Sequence, residues 1–267
     1  MTDVVDSRLA SALHIQRMRR AEFDRDPATD HVIWQTSSID ALLDGEYEGD
    51  LTFGELAAHG DFGIGTVQHL NGEMMAIDGE FFNVTASGAV NRVPPSERTP
   101  FAVVCHFAPG PPRHLQGPLS FGQLTAYLDA HLGDFGHADD PVLALRVDGR
   151  FAALHLRSVP GQNTPYPPLA EVVAHQIEWA VPEATGSLIG FRFPDYAQGI
   201  DVAGYHLHFI SDDRTIGGHV IDLTLIEGQA RLDGSSDLHL EVPAGVQVNE
   251  ADPSGLKGSV IRAVEGR

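Results

Sequence analysis

The alternation in Gly204-Tyr205-His206-Leu207-His208-Phe209-Ile210 constrains this chain more than any other stretch. Its aromatic and β-branched residues favour a strand. On a strand, residues two apart share a face, so His206 and His208 point the same way. Ser211-Asp212-Asp213-Arg214 has the composition of a turn. A hairpin folded near Asp213 and Arg214 sets His219, in Gly217-Gly218-His219-Val220-Ile221, opposite His208. The two glycines ahead of His219 permit close backbone approach. Three imidazoles on one face have the ligand type and number of a divalent-metal centre that keeps an open position. The competing reading is a polar strand face without a metal. H-x-H alone is only moderately specific; the third histidine at hairpin distance strengthens the metal reading.

The chain has 14 histidines, so some fall near one another by chance. His69, His106 and His155 lie in expected strands without companions, and His131, His137 and His175 lack metal spacing. The formal charge of −20 argues against a nucleic-acid or anionic-membrane partner. Cys105, the one cysteine, sits in the apolar run Phe101-Ala102-Val103-Val104-Cys105, which reads as a buried strand with a structural thiol. With one cysteine there is no intrachain disulfide. No apolar signal region opens the chain and no stretch approaches a membrane span, so the expected location is the cytoplasm.

The punctuation of the sequence gives a mixed α/β (α+β), β-rich fold. Residues 1–30 read as a leader, helical or disordered, with a short helix expected over 7–23. Helices capped by Ser38 and Thr52 follow. Strands over 66–70, 74–77 and 81–85 are separated by Asn71-Gly72 and Asp78-Gly79, both hairpin signals. Residues 101–107 form a strand and 121–132 a helix; 142–147 and 151–156 form a hairpin across Asp148-Gly149. A helix over 169–179 opens at Pro168. Beyond it lie strands at 186–193, 205–210, 219–226, 229–232 and 237–242. A boundary near Val181 divides a mixed α/β domain (31–180), an N-terminal sheet with helices, from an antiparallel β domain (181–267) carrying the metal site.

Neutral imidazoles leave a bound ion's charge uncompensated, and a nearby carboxylate offsets it or works as acid and base. Glu73, Asp222, Glu227 and Glu265 are candidates by sequence, although Asp222 falls off the His219 face. Arg157, in Leu156-Arg157-Ser158-Val159-Pro160, suits a carboxylate-bearing substrate. A surface ion pair explains it equally well on pattern alone.

Several stretches together resemble the α-acetolactate decarboxylase family: Gly65-Thr66 through Leu70-Asn71-Gly72-Glu73, Thr99-Pro100-Phe101-Ala102-Val103-Val104, Arg157-Ser158-Val159-Pro160 with Pro165-Tyr166-Pro167-Pro168, and the two histidine segments. They stand in the family's order over about 33–265. The resemblance implies zinc on His206, His208 and His219, with Glu73 at the metal site, Arg157 and Glu265 as further catalytic residues, and Thr66 lining the site. Asn71 replaces the family's usual Asp, a change that keeps the turn. The leader falls outside the resemblance. The implied reaction takes 2-acetolactate to acetoin and carbon dioxide. Zinc would chelate the keto and hydroxyl oxygens and stabilise an enediolate, which Glu73 or Glu265 protonates on one face. The implied substrate class is small 2-hydroxy-3-oxo acids, and the implied assembly a homodimer. Two readings compete: a metal-dependent hydrolase or oxygenase, and a non-catalytic metal- or ligand-binding protein. Neither explains the Arg157 and Glu73 segments together.

Overall fold

A computed structural model of the chain describes residues 14–16, 31–137 and 142–242. The first half holds β1 (His14–Gln16), β2 (Val32–Thr36), α1 (Ile39–Leu43), β3 (Leu51–Thr52), α2 (Phe53–Leu56), β4 (Phe62–Thr66), β5 (Glu73–Ile77), β6 (Glu80–Val84), β7 (Val90–Arg92), β8 (Arg98–Thr99) and β9 (Ala102–Cys105). Then come β10 (Arg113–Ser120), α3 (Phe121–Ala130), α4 (Leu132–Phe135), β11 (Val142–Ser158), α5 (Leu169–Val173), β12 (Ile177–Phe193), β13 (Gly204–Ser211), β14 (Gly217–Ser235) and β15 (Asp237–Glu241). None of the described helices is long and apolar enough to cross a membrane.

Two sheets organise the molecule. The first runs β1-β15-β2-β9-β4-β5-β6-β7; it is mixed, because β15 lies parallel to β1 and β2 while the other pairs are antiparallel. The second runs β10-β14-β11-β12-β13 and is antiparallel. In it β13 also pairs with β14, so β11 to β14 close into a ring. The period of two along the strands sorts the side chains into three cores. On β5, Met75 and Ile77 enter the core between the sheets, whereas Met74 and Ala76 face the opposite way onto Leu51, Phe53 and Leu56. On β13, Ile210 faces the inter-sheet core and Tyr205, Leu207 and Phe209 fill the ring with Leu145, Phe151 and Leu225. Leu124 and Leu128 of α3 belong to that ring core.

This parity has a functional consequence. Glu73 shares the face of Met75, Thr66 that of Ile64, and His206 and His208 that of Ile210. All four point into the space between the sheets.

Local signals explain several elements. Ser38 and Thr52 cap α1 and α2 through side-chain oxygens, Thr52 in a capping box with Glu55. Asp78-Gly79 joins β5 to β6 as a two-residue turn, with both φ positive (53° and 77°) and Ile77 facing Glu80. Cys105 is buried in β9, as expected, and burial pushes its thiol pKa up.

Other expectations fail for physical reasons. Residues 68–70 form a 3₁₀ turn rather than a strand; β4 ends at Thr66, which pairs with Glu73, so the loop at Asn71-Gly72 is longer than a tight hairpin turn. The Asp148-Gly149 hairpin is absent, and β11 runs straight through it. Gly149 lies between Gly186 and Gly228 on the flanking strands, and a Cβ there would stand 2.3 Å from Glu227 O. Asp148 takes bonds from Arg146, Arg231 and Ser187 instead of shaping a turn. The helix over 169–179 stops at Val173, and residues from Ile177 onward are strand, where Ile177, Trp179 and Val181 alternate. Val181 lies inside β12. The two strands expected at 219–226 and 229–232 are one, β14. In the leader, His14–Gln16 pair with β15 rather than forming a helix; the remainder of 7–23 lies outside the described residues.

Candidate metal centre

The hairpin predicted from sequence is present. His208 pairs with His219, Phe209 with Gly218 and Ile210 with Gly217. The connecting turn is tied by Ser211, whose Oγ accepts from Thr215 N at 3.2 Å and Ile216 N at 3.0 Å. Gly217 and Gly218 are required by what surrounds them. A Cβ on Gly217 would come within 2.8 Å of Val84 Cγ2; one on Gly218, whose φ is +144°, within 2.8 Å of Arg157 O.

His206, His208 and His219 are all buried, with ring centroids 5.1–5.3 Å apart. One nitrogen from each lies within 4.8 Å of the others, the arrangement of a group able to hold a metal ion. The orientation of His208 fits that use. Its Nδ1 donates to Met74 O at 3.0 Å, which leaves the lone pair on Nε2. Nε2 makes no hydrogen bond; Glu73 Oε2 stands 3.5 Å away. A buried imidazole nitrogen of this kind has the chemistry of a ligand.

Burial holds the His208 pKa well below its usual 6.5; His206 and Arg157 push the same way, against the Met74 bond. Below 6.5 the unfolded chain binds a proton that the folded chain refuses, so the metal-free protein loses stability as pH falls from 6.5 toward the folded value. Melting temperatures of metal-free protein between about pH 7.5 and 5.5 test this; a flat profile would contradict it.

Glu73 begins β5 and Arg157 lies near the end of β11, beside His219. Arg157 Nη1 donates to Glu73 Oε1 at 2.9 Å, and both side chains are buried, Arg157 at 2% exposure. The surface-pair reading of Arg157 is thereby replaced by a buried pair. Glu73 spans the guanidinium and His208. The Thr66 hydroxyl donates to Gly72 O at 2.7 Å, fixing the turn that leads into Glu73. Thr66, Glu73, Arg157 and His206 line one pocket between the sheets. Gly65 lines it too, with Ile39, Leu42, Leu70, Phe101, Val159 and Leu169 as its apolar wall.

Of the other carboxylates, Asp222 and Glu227 are exposed, and Glu227 bonds to Arg150. Glu265 lies outside the described residues. Beside the triad lies a buried carboxylate that no sequence motif marks: Asp201, whose Oδ1 is 4.0 Å from His206 Nδ1. Its stretch, Gly199-Ile200-Asp201-Val202, carries no local motif.

A family described as alpha-acetolactate decarboxylase matches residues 33–253. The alpha-acetolactate decarboxylase of Methylococcus capsulatus is 41% identical over 236 residues, 88% of this chain and 89% of that protein. That of Klebsiella aerogenes is 40% identical over 238 residues, 88% of this chain and 90% of that protein. The crystal structure of alpha-acetolactate decarboxylase from Bacillus subtilis strain 168 matches with a TM-score of 0.82 at 32% identity, covering 88% of this chain and 100% of that one.

Proposed function

From the premise that the chain belongs to the α-acetolactate decarboxylase family, a family of carboxy-lyases, we propose that it converts 2-acetolactate to acetoin and carbon dioxide in the pocket between its sheets. We propose zinc as the metal, held by His206, His208 and His219. The observation that carries this reading is the meeting of a buried three-histidine group with the buried Arg157–Glu73 pair in one pocket.

His206, His208 and His219 would hold the divalent ion, which when bound would supply Lewis acidity toward the substrate's oxygens. Arg157 holds the departing carboxylate and orients its bond for the release of carbon dioxide. Its grip must be limited, because carbon dioxide leaves neutral and binding the anion alone stabilises only the ground state. Glu73 fixes the guanidinium at 2.9 Å. The apolar wall of Leu42, Leu70, Phe101 and Leu169 keeps water from the reacting carbons. Glu73 or Glu265 delivers the proton that completes acetoin, and delivery from one side sets the product's handedness. The homodimer and the cytoplasmic location belong to the same family reading, as does a substrate range among small 2-hydroxy-3-oxo acids.

Purified protein given racemic 2-acetolactate is expected to release acetoin and carbon dioxide in equal amounts, with one acetoin enantiomer in excess. No acetoin above the spontaneous rate would overturn the reading. Racemic acetoin would remove the glutamates from proton delivery.

A further inference from the structure

Asp201 stands two residues before the end of the link into β13 and is 1% exposed. Its Oδ1 accepts from Val202 N at 2.6 Å, and the same oxygen lies 4.0 Å from His206 Nδ1. The backbone around it is fixed: Asp201 N donates to Ala197 O at 3.2 Å, Gln198 bridges to Asp201, and Val202 is fully buried. The carboxylate thus faces one particular nitrogen of one particular member of the triad.

Charge within the site makes this placement informative. Arg157 and Glu73 offset each other through their 2.9 Å bond. The three imidazoles are neutral when they act as ligands, so a divalent ion brings two positive charges into a buried space. The carboxylate of Asp201 faces such an ion across the His206 ring. His208 offers the precedent in the same hairpin, since Met74 O takes its Nδ1 proton and leaves Nε2 for binding.

We propose that Asp201 is a positioning residue of the metal centre: it holds the proton of His206 on Nδ1, so that His206 binds through Nε2 and the ion is held more tightly. For this, Nδ1 and Oδ1, 4.0 Å apart here, come within hydrogen-bond reach of each other when the ion is held. The two histidines of β13 then present the same nitrogen, one oriented by a carbonyl and the other by a carboxylate. The inference rests on the metal reading given above.

The test measures Zn²⁺ affinity by competition with a chromophoric chelator, for the wild type, Asp201→Asn and Asp201→Ala, and the visible spectrum of each after loading with Co²⁺. Asparagine keeps an acceptor for Val202 N but loses the charge. Both variants are expected to bind Zn²⁺ about 10- to 100-fold more weakly, with a shifted Co²⁺ spectrum. A wild type that binds no divalent metal would overturn the metal reading and this inference with it. Normal wild-type binding with unchanged affinity in both variants would overturn this inference alone. Should the variants not fold, nitrogen-15 spectra of zinc-loaded wild type decide the matter: His206 is expected to carry its proton on Nδ1, and a proton on Nε2 overturns the proposal.

Discussion

Arg157→Ala is expected to lower kcat/KM for 2-acetolactate on the order of 10³-fold, a loss of about 4 kcal/mol of transition-state stabilisation, while the protein keeps its metal. Among the described residues lining the pocket, Arg157 is the one permanent cation, so no other described lining side chain can take over the substrate carboxylate. Lysine at this position keeps the charge but loses the planar fork, and Arg157→Lys should fall between wild type and alanine. The variant also has a structural cost. Without the guanidinium at 2.9 Å, the buried Glu73 carboxylate loses a cationic partner, and breaking a buried pair by removing one partner destabilises by roughly 3–5 kcal/mol. Stability and catalysis can be separated. Arg157→Ala combined with Glu73→Gln removes both charges and should recover much of the lost melting temperature without recovering activity. Unchanged turnover in Arg157→Ala would show that another group holds the carboxylate.

His208→Ala should have a comparable or larger effect by a different route. His208 is fully buried, and its Nδ1 is fixed on Met74 O at 3.0 Å, so its ring cannot be replaced by a neighbour swinging in. Alanine leaves two imidazoles, too few for a three-ligand centre. Lewis-acid stabilisation amounts to several kcal/mol, so acetoin formation should fall by about 10³-fold or more. Metal content, measured on the same sample, should fall with it. The variant also lacks the imidazole whose pKa burial depresses, so its stability should fall less below pH 6.5 than that of metal-free wild type. Full metal content with activity lost would point to a role for His208 other than coordination.

The centre was legible in the sequence because its geometry is local. His206 and His208 follow from the period of a strand; His219 follows from a short polar turn and two glycines that the packing against Val84 and Arg157 demands. Asp78-Gly79 was legible for the same reason, since a two-residue turn with both φ positive leaves few alternatives. Signals failed where one residue type serves two physical purposes. The glycine of Asp148-Gly149 permits three strands to approach, and nothing local distinguishes that from a turn. Pro168 opens a helix, but Val172 and Val173 precede a strand whose apolar residues alternate through Trp179 and Val181. Tertiary pairing with β11 decides that segment. Arg157 and Glu73 meet across 84 positions of sequence, and only the resemblance linked them in advance. Asp201 acts across a loop on a histidine that the pattern already explained, so no spacing rule singled it out.

Decarboxylation in this pocket is proposed to depend on a divalent metal held by His206, His208 and His219. This dependence is tested most directly by acetoin formation from 2-acetolactate on one preparation, measured as purified, after exhaustive chelation and after addition of zinc, with metal content determined at each stage. The expected result is activity that disappears with the metal and returns with zinc. Activity that persists in fully metal-free protein would overturn the Lewis-acid role of the metal.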